Sequence, residues 1–253
     1  MIYVMADIHG SLRRFNSIMR QINLQPEDKL YVIGDVIDRH PDGIPILLEL
    51  MAMPNVVMLL GNHEYMMLET VDPLRGYSPE LRAANKKLWF RNGGEVTFRA
   101  YCKLDGPTKT RILKYLSALP YAKVIVAGHR RYKLVHAAPP EMYVFSWEYL
   151  IEKEYCVWER IPMEQPLPKG YTFIFGHTPT QYFIPQENKN AAAKPEPMSI
   201  LHGDHRIYID CGSGYPDKFD RRYGAMGRLA CLRLDDLKEF YSEETIDDQG
   251  GTH

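Results

Sequence analysis

The sequence predicts an α/β fold that opens with a largely parallel sheet. Three observations carry this. A short apolar run, a polar loop and a segment of helical period follow one another three times in the first 70 residues. Residues 79–119 keep helical periodicity with no strand-like alternation, and apolar runs suited to strands dominate after Pro120.

Ile2–Ala6 reads as a strand that ends in Asp7-Ile8-His9-Gly10, after which Leu12, Phe15, Ile18, Met19 and Ile22 recur at helical spacing. Leu30–Ile33 is a second buried strand, ending at Gly34-Asp35. Pro41-Asp42-Gly43 then introduces a helix marked by Ile44, Leu47, Leu48 and Met51. Asn55–Leu60 is the third strand, closed by Gly61-Asn62-His63-Glu64, with Met66, Met67 and Leu68 continuing as helix. Residues 79–119 form a helical insertion broken by Asn92-Gly93-Gly94. Ala122–Ala127, Tyr132–His136, Thr172–Phe175, Ile207–Ile209 and Leu229–Leu234 follow as strands of a more antiparallel sheet. His129-Arg130-Arg131 is read as a hairpin turn, and His202-Gly203-Asp204-His205 as a tight turn between two strands. Gln186–Pro197 reads as a polar loop, and Arg221 and Arg222 fall in another. The expected organisation is one domain over 1–235 and an acidic tail over 236–253.

Composition narrows the function. With 45% apolar and 25% charged residues, a chain of 253 residues buries roughly 70–75% of its unfolded surface in one core. Thirty-one Lys plus Arg against 32 Asp plus Glu leave a net charge of −1, so no bulk field recruits nucleic acid or an anionic membrane. Cys102, Cys156, Cys211 and Cys231 are widely spaced, which suits buried thiols in a reducing compartment such as the cytoplasm. The first charge arrives at Asp7, too early for a signal peptide, and no run approaches a membrane span.

The chemistry lies at the strand ends. Asp7 and His9, then Asp35 and Asp38, then Asn62 and His63, then His136, then His177 each follow a predicted strand. Ligands in open α/β sheets sit beyond the carboxyl ends of the strands, so these side chains are expected to converge. Asp, His and Asn without cysteine suit manganese, iron or zinc. Six candidate ligands, Asp7, His9, Asp35, Asn62, His136 and His177, exceed one closed zinc site, and a carboxylate such as Asp35 bridges two ions. The expected cofactor is two divalent cations, manganese first. Arg39 adds a planar fork of donors matched to phosphate oxygens.

Asp7-Ile8-His9-Gly10, Gly34-Asp35-Val36-Ile37-Asp38-Arg39 and Gly61-Asn62-His63-Glu64 resemble the three signature motifs of the metal-dependent phosphoprotein phosphatases, calcineurin-like metallophosphoesterases of the small bacterial and phage-lambda-like type. Val135-His136-Ala137, Val157-Trp158-Glu159-Arg160, Phe175-Gly176-His177-Thr178-Pro179 and Ile209-Asp210-Cys211-Gly212 resemble later blocks, as does Leu88-Trp89-Phe90 through Asn92-Gly93-Gly94. The resemblance implies two mixed sheets packed face to face and flanked by helices. It implies that Asp7, His9 and Asp35 hold one ion while Asp35, Asn62, His136 and His177 hold the other, and that Arg39 and Arg160 grip the phosphate together with Asn62 and His63. Ala6, His40 and Ala138 depart from the family pattern, and His40 is placed to alter specificity at the pocket rim.

The expected activity is hydrolysis of phosphomonoesters by in-line attack of a metal-bridging hydroxide, on Ser/Thr phosphoproteins foremost. His63, whose side chain diverges from that of the adjacent Asn62, is the general acid and Asp38 orients it. A dinucleoside polyphosphate or other nucleotide hydrolysed by the same site is the rival substrate. A non-catalytic phosphate-binding regulator is the rival of another class. The sequence leaves the oligomeric state open.

Overall fold

A computed structural model describes residues 1–183, 197–215 and 226–243. Strands β1 (Ile2–Met5), β2 (Lys29–Val32) and β3 (Val56–Met58) alternate with helices α1 (Leu12–Ile22), α2 (Gly43–Ala52) and α3 (Asn62–Val71). Helices α4 (Pro79–Arg91), α5 (Glu95–Cys102) and α6 (Gly106–Ser117) follow, then β4 (Ala122–Ala127), β5 (Arg130–Val135), α7 (Glu152–Trp158) and β6 (Thr172–Phe175). The chain closes with β7 (Leu201–Gly203), β8 (Arg206–Tyr208), β9 (Ala230–Arg233) and β10 (Lys238–Tyr241).

Two five-stranded sheets result, in the orders β10-β9-β1-β2-β3 and β4-β5-β6-β8-β7. Alternation along β1 shows how they pack. Val4 and Ala6 enter a cluster with Ile33, Leu59, Leu134, Ile174 and Ile207, which is the layer between the sheets. Tyr3 and Met5 point the other way, into a cluster with Phe15 and Ile18 of α1 and Leu47 of α2. Both faces of β1 are therefore covered, which is why its residues read as one continuous apolar run. Val135, Phe173, Phe175 and Tyr208 form a third cluster on the outer face of the second sheet. The sandwich of two mixed sheets flanked by helices is the fold implied by the resemblance.

Three expectations are corrected. The second sheet is not mainly antiparallel: β5, β6 and β8 run parallel, and only its edge strands β4 and β7 are antiparallel. The stretch between β5 and β6, containing the short helix α7, is long enough for the crossover that parallel pairing requires. Strand β9 joins the first sheet, antiparallel to β1. The expected tail from 236 instead turns back as β10, which pairs with β9 and buries Phe240.

The break at Asn92-Gly93-Gly94 separates α4 from α5 as expected. Gly128-His129 is the turn between β4 and β5, and Asp204-His205 the turn between β7 and β8. Cys156, Cys211 and Cys231 are buried, but Cys102, at the end of α5, is exposed. The loop expected over 186–197 falls, except for its last residue, outside the described residues, as do Arg221, Arg222 and 244–253. No described helix is long and apolar enough to cross a membrane.

Candidate active site

The loops after β1, β2, β3, β5 and β6 meet at one edge of the sandwich. Those after β1 and β2 are laced together: the amides of Asp7, His9 and Gly10 donate to the carbonyls of Gly34, Asp35 and Val36 at 3.1, 2.9 and 2.8 Å. The lacing holds the chain in unusual conformations. Nine described non-glycine residues have positive φ, and Asp7, His9, Asp35, Asp38, Arg39 and His177 are six of them. Asp tolerates the left-handed region better than most residues, but six such residues at one site are kept only where the surroundings dictate them. Glycine serves where backbone must pass close by. A Cβ on Gly61 would lie 2.2 Å from Asp35 Oδ1, and one on Gly34, at φ +92°, 2.7 Å from His136 Nδ1.

Asp35 stands at the centre. His9, Asp35 and His63 form one buried group with ligand atoms all within 4.8 Å of one another, and Asp35, His136 and His177 form a second. Asp35 Oδ2 lies 3.7 Å from His9 Nε2, 3.4 Å from His136 Nε2 and 3.8 Å from His63 Nε2. Asn62 Oδ1 is 3.0 Å from both His136 Nε2 and His177 Nδ1. Asp7 enters neither group: both its carboxylate oxygens accept from the His177 amide at 3.1 Å, and it is His63 that joins His9 and Asp35.

The ring partners divide the four histidines into two kinds. A carbonyl only accepts, so His9 Nδ1 donates to Ile37 O at 3.2 Å, His136 Nδ1 to Ile33 O at 2.8 Å, and His177 Nε2 to Trp158 O at 3.0 Å. On His9 and His177, both lowered below the ordinary histidine value, the other nitrogen offers a lone pair to the centre. On His136, raised by Asp35, that nitrogen carries a second proton, which binding of a cation would release. The ring nitrogens of His136 and His177 and the Asn62 amide oxygen converge, and all three are atoms that can bind a cation. The donor set therefore fits a pair of divalent cations that share Asp35.

His63 differs. Its Nδ1 donates to Asp38 Oδ2 at 2.6 Å, and Asp38 is completely buried. A carboxylate only accepts, so Nδ1 carries the ring N–H and Nε2 faces the site. Arg39 Nη2 is 3.4 Å from that Nε2. Arg160 stands at the rim, donating to Thr178 Oγ1 at 3.0 Å with its guanidinium 5.7 Å from the centre of the Tyr182 ring. His40 also lies at the rim, where its Nε2 meets Tyr215 O at 3.3 Å.

Burial and charge set the protonation pattern. Burial opposes ionisation of Asp35, but His136, His63 and His9 outweigh it and hold the carboxyl well below its usual range. Burial likewise works against a charged His136, yet Asp35 and Asp7 push it up to about 10. His9 is lowered by burial and Arg39, and His177 by burial, His136 and Arg160. Burial, with Asp210 alongside, raises Asp7.

Four contributors escaped the sequence reading as site residues. Glu64 is fully buried and accepts from four amides: Asp35 and Gly61 at 2.8 and 3.1 Å on Oε2, Val36 and Ile37 at 2.8 and 3.3 Å on Oε1. Burial and Asp35 push it up to about 7. Asp210 accepts from the Gly212 amide at 2.9 Å and is pushed by burial up to about 6. Trp89 donates its indole N–H to Asp38 Oδ2 at 2.6 Å, and Thr97 Oγ1 accepts from the Asp38 amide at 2.9 Å. Glu64 stands in the first turn of α3, beside the loop it clamps, and Asp210 and Trp89 lie in blocks that carry the resemblance, whereas Thr97 has no such signal.

Comparison with known proteins places this geometry in a family. The model for the calcineurin-like phosphoesterases matches residues 1–208, and the chain belongs to that family. Serine/threonine-protein phosphatase 2 of Salmonella typhimurium is 26% identical over 222 residues, 84% of this chain and 87% of that protein. A symmetrical bis(5'-nucleosyl)-tetraphosphatase of Erwinia tasmaniensis is 38% identical over 68 residues, 26% of this chain and 25% of that protein. A crystal structure provisionally described as a diadenosine tetraphosphatase superimposes with a TM-score of 0.56 at 15% identity, covering 95% of this chain and 91% of its own, a likeness of fold.

Proposed function

We propose that the chain hydrolyses phosphomonoesters of aliphatic alcohols, with phosphoserine and phosphothreonine in proteins as its substrates. The observation that carries this is the division among the histidines: three give a ring N–H to a backbone carbonyl, while His63 alone gives its to a buried carboxylate. Three are thereby suited to hold cations and one to hold a proton.

Two divalent cations, one held by Asp7, His9 and Asp35 and the other by Asp35, Asn62, His136 and His177, would supply Lewis acidity that lowers the pKa of water and neutralises phosphate charge; manganese suits the donors, with iron or zinc as alternatives. The protein's own groups do the rest. Arg39 and Arg160 bind the phosphate oxygens. As water oxygen bonds to phosphorus, the ester P–O bond breaks and its electron pair passes to the leaving oxygen, which takes the proton from His63 Nε2. Asp38 holds that ring in place.

A dedicated proton donor favours this reading over nucleotide hydrolysis. An alkoxide is a strong base and leaves poorly unprotonated, whereas the phosphate released from a dinucleoside polyphosphate is a weak one. The similarity to the Salmonella phosphatase over most of the chain supports the same reading.

The test compares a phosphoseryl peptide, p-nitrophenyl phosphate and diadenosine tetraphosphate with manganese present, for the native chain and His63→Asn. The expected result is turnover of the peptide above the dinucleotide. His63→Asn should lose roughly 10²–10⁴-fold on the peptide and far less on the aryl ester, whose leaving group needs little protonation. Equal losses on both esters refute the acid assignment, and preference for the dinucleotide refutes the substrate.

A further inference from the structure

The helical insertion reaches into the site at one place. Asp38 Oδ2 accepts two bonds, from His63 Nδ1 on α3 and from Trp89 Nε1 on α4, each at 2.6 Å. Asp38 Oδ1 has no hydrogen-bond partner among the described residues. The torsion that turns an aspartate carboxylate is soft and roughly two-fold, so a single bond to His63 would leave its orientation loosely defined. Two donors arriving from different helices fix it.

The surroundings leave the indole no freedom. Trp89 is completely buried. A Cβ on Gly94 would come within 2.3 Å of its Cδ1 and Nε1, so the ring occupies the space that a side chain at 94 would need. The same turn holds the next residue of the loop: Gly93 O accepts from the Arg39 amide at 3.1 Å, and Thr97 Oγ1 from the Asp38 amide at 2.9 Å. The α4–α5 junction thus grips the backbone of both Asp38 and Arg39 and touches the carboxylate through one N–H.

We propose that Trp89 is a positioning residue for proton delivery: its indole N–H locks the Asp38 carboxylate so that His63 presents Nε2 to the leaving oxygen. The inference rests on His63 being the general acid. A residue acting only through Asp38 affects reactions that need the proton and spares those that do not.

Trp89→Phe keeps an aromatic ring and removes the N–H. Loss of a hydrogen bond to a charged group predicts roughly a 10–100-fold fall in kcat on a phosphoseryl peptide, with KM little changed and a much smaller fall on p-nitrophenyl phosphate. A merely structural role would lower both esters alike, and that outcome, or no fall on the peptide, overturns the proposal. If His63→Asn discriminates between the esters and Trp89→Phe does not, the proposal alone fails; if His63→Asn does not discriminate, the acid reading fails with it. A second measurement needs no folded tryptophan variant. In the 15N spectrum of the native chain, the Trp89 indole N–H is expected to exchange slowly with solvent, in contrast to that of Trp147, which is 90% exposed. Exchange of Trp89 as fast as Trp147 also overturns the proposal.

Discussion

Glu64→Gln is the most demanding test of how the site is held. In the native chain each carboxylate oxygen of Glu64 accepts two buried amides, those of Asp35 and Gly61 on one side and of Val36 and Ile37 on the other. Glutamine has nearly the same shape but only one acceptor oxygen. Whichever way its amide is turned, an NH2 group meets two N–H groups that previously had an acceptor. A buried donor left unsatisfied costs about 1–3 kcal/mol, so the substitution should destabilise by about 2–6 kcal/mol. At about 2–4 °C per kcal/mol for a chain of this length, the melting temperature should fall by about 4–24 °C, a large effect for one heteroatom. Differential scanning calorimetry of the native and variant chains at matched manganese gives the number. A fall of less than about 2 °C would show that the four amides are satisfied without Glu64, and the clamp would have to be abandoned.

Two further outcomes can be checked with the same protein. Manganese should raise the melting temperature of the native chain, in line with the roughly 2.7 kcal/mol gained at a hundredfold excess over Kd, and chelation should reverse the rise; Asp35→Asn should abolish both this response and all turnover. An undiminished manganese response in Asp35→Asn counts against a shared ligand. Gly94→Ala leaves the backbone unstrained, at φ −74°, but sets a methyl within 2.3 Å of the Trp89 indole, and overpacking of this kind should cost about 1–3 kcal/mol. Chemical denaturation reads it, and an unchanged midpoint would mean the indole has room to move.

The sequence displayed the parallel half of the fold clearly because β1–β3 alternate with helices, the first of them strongly amphipathic, and each loop after a strand carries its polar cluster. It concealed the second sheet. With α7 only seven residues long, the crossover into β6 left no helical rhythm to read, and parallel strands looked like a meander. The convergence of Asp35, Asn62, His136 and His177 followed from the rule that strand ends face one edge. Trp89 and Thr97 did not, since both come from the helical insertion, and nothing in their own neighbourhood says that they lie against Asp38. The ring partners of the histidines were equally invisible, because Ile33 O, Ile37 O and Trp158 O are backbone atoms that any residue would supply.

The left-handed backbone at Asp7, His9, Asp35, Asp38, Arg39 and His177 has a consequence for how this molecule tolerates change. Each such residue stores about 1 kcal/mol or more that glycine would release. Sequence drift toward sturdier folding therefore pulls at these six places against the chemistry, and a library sorted for heat resistance alone would be expected to return disarmed variants.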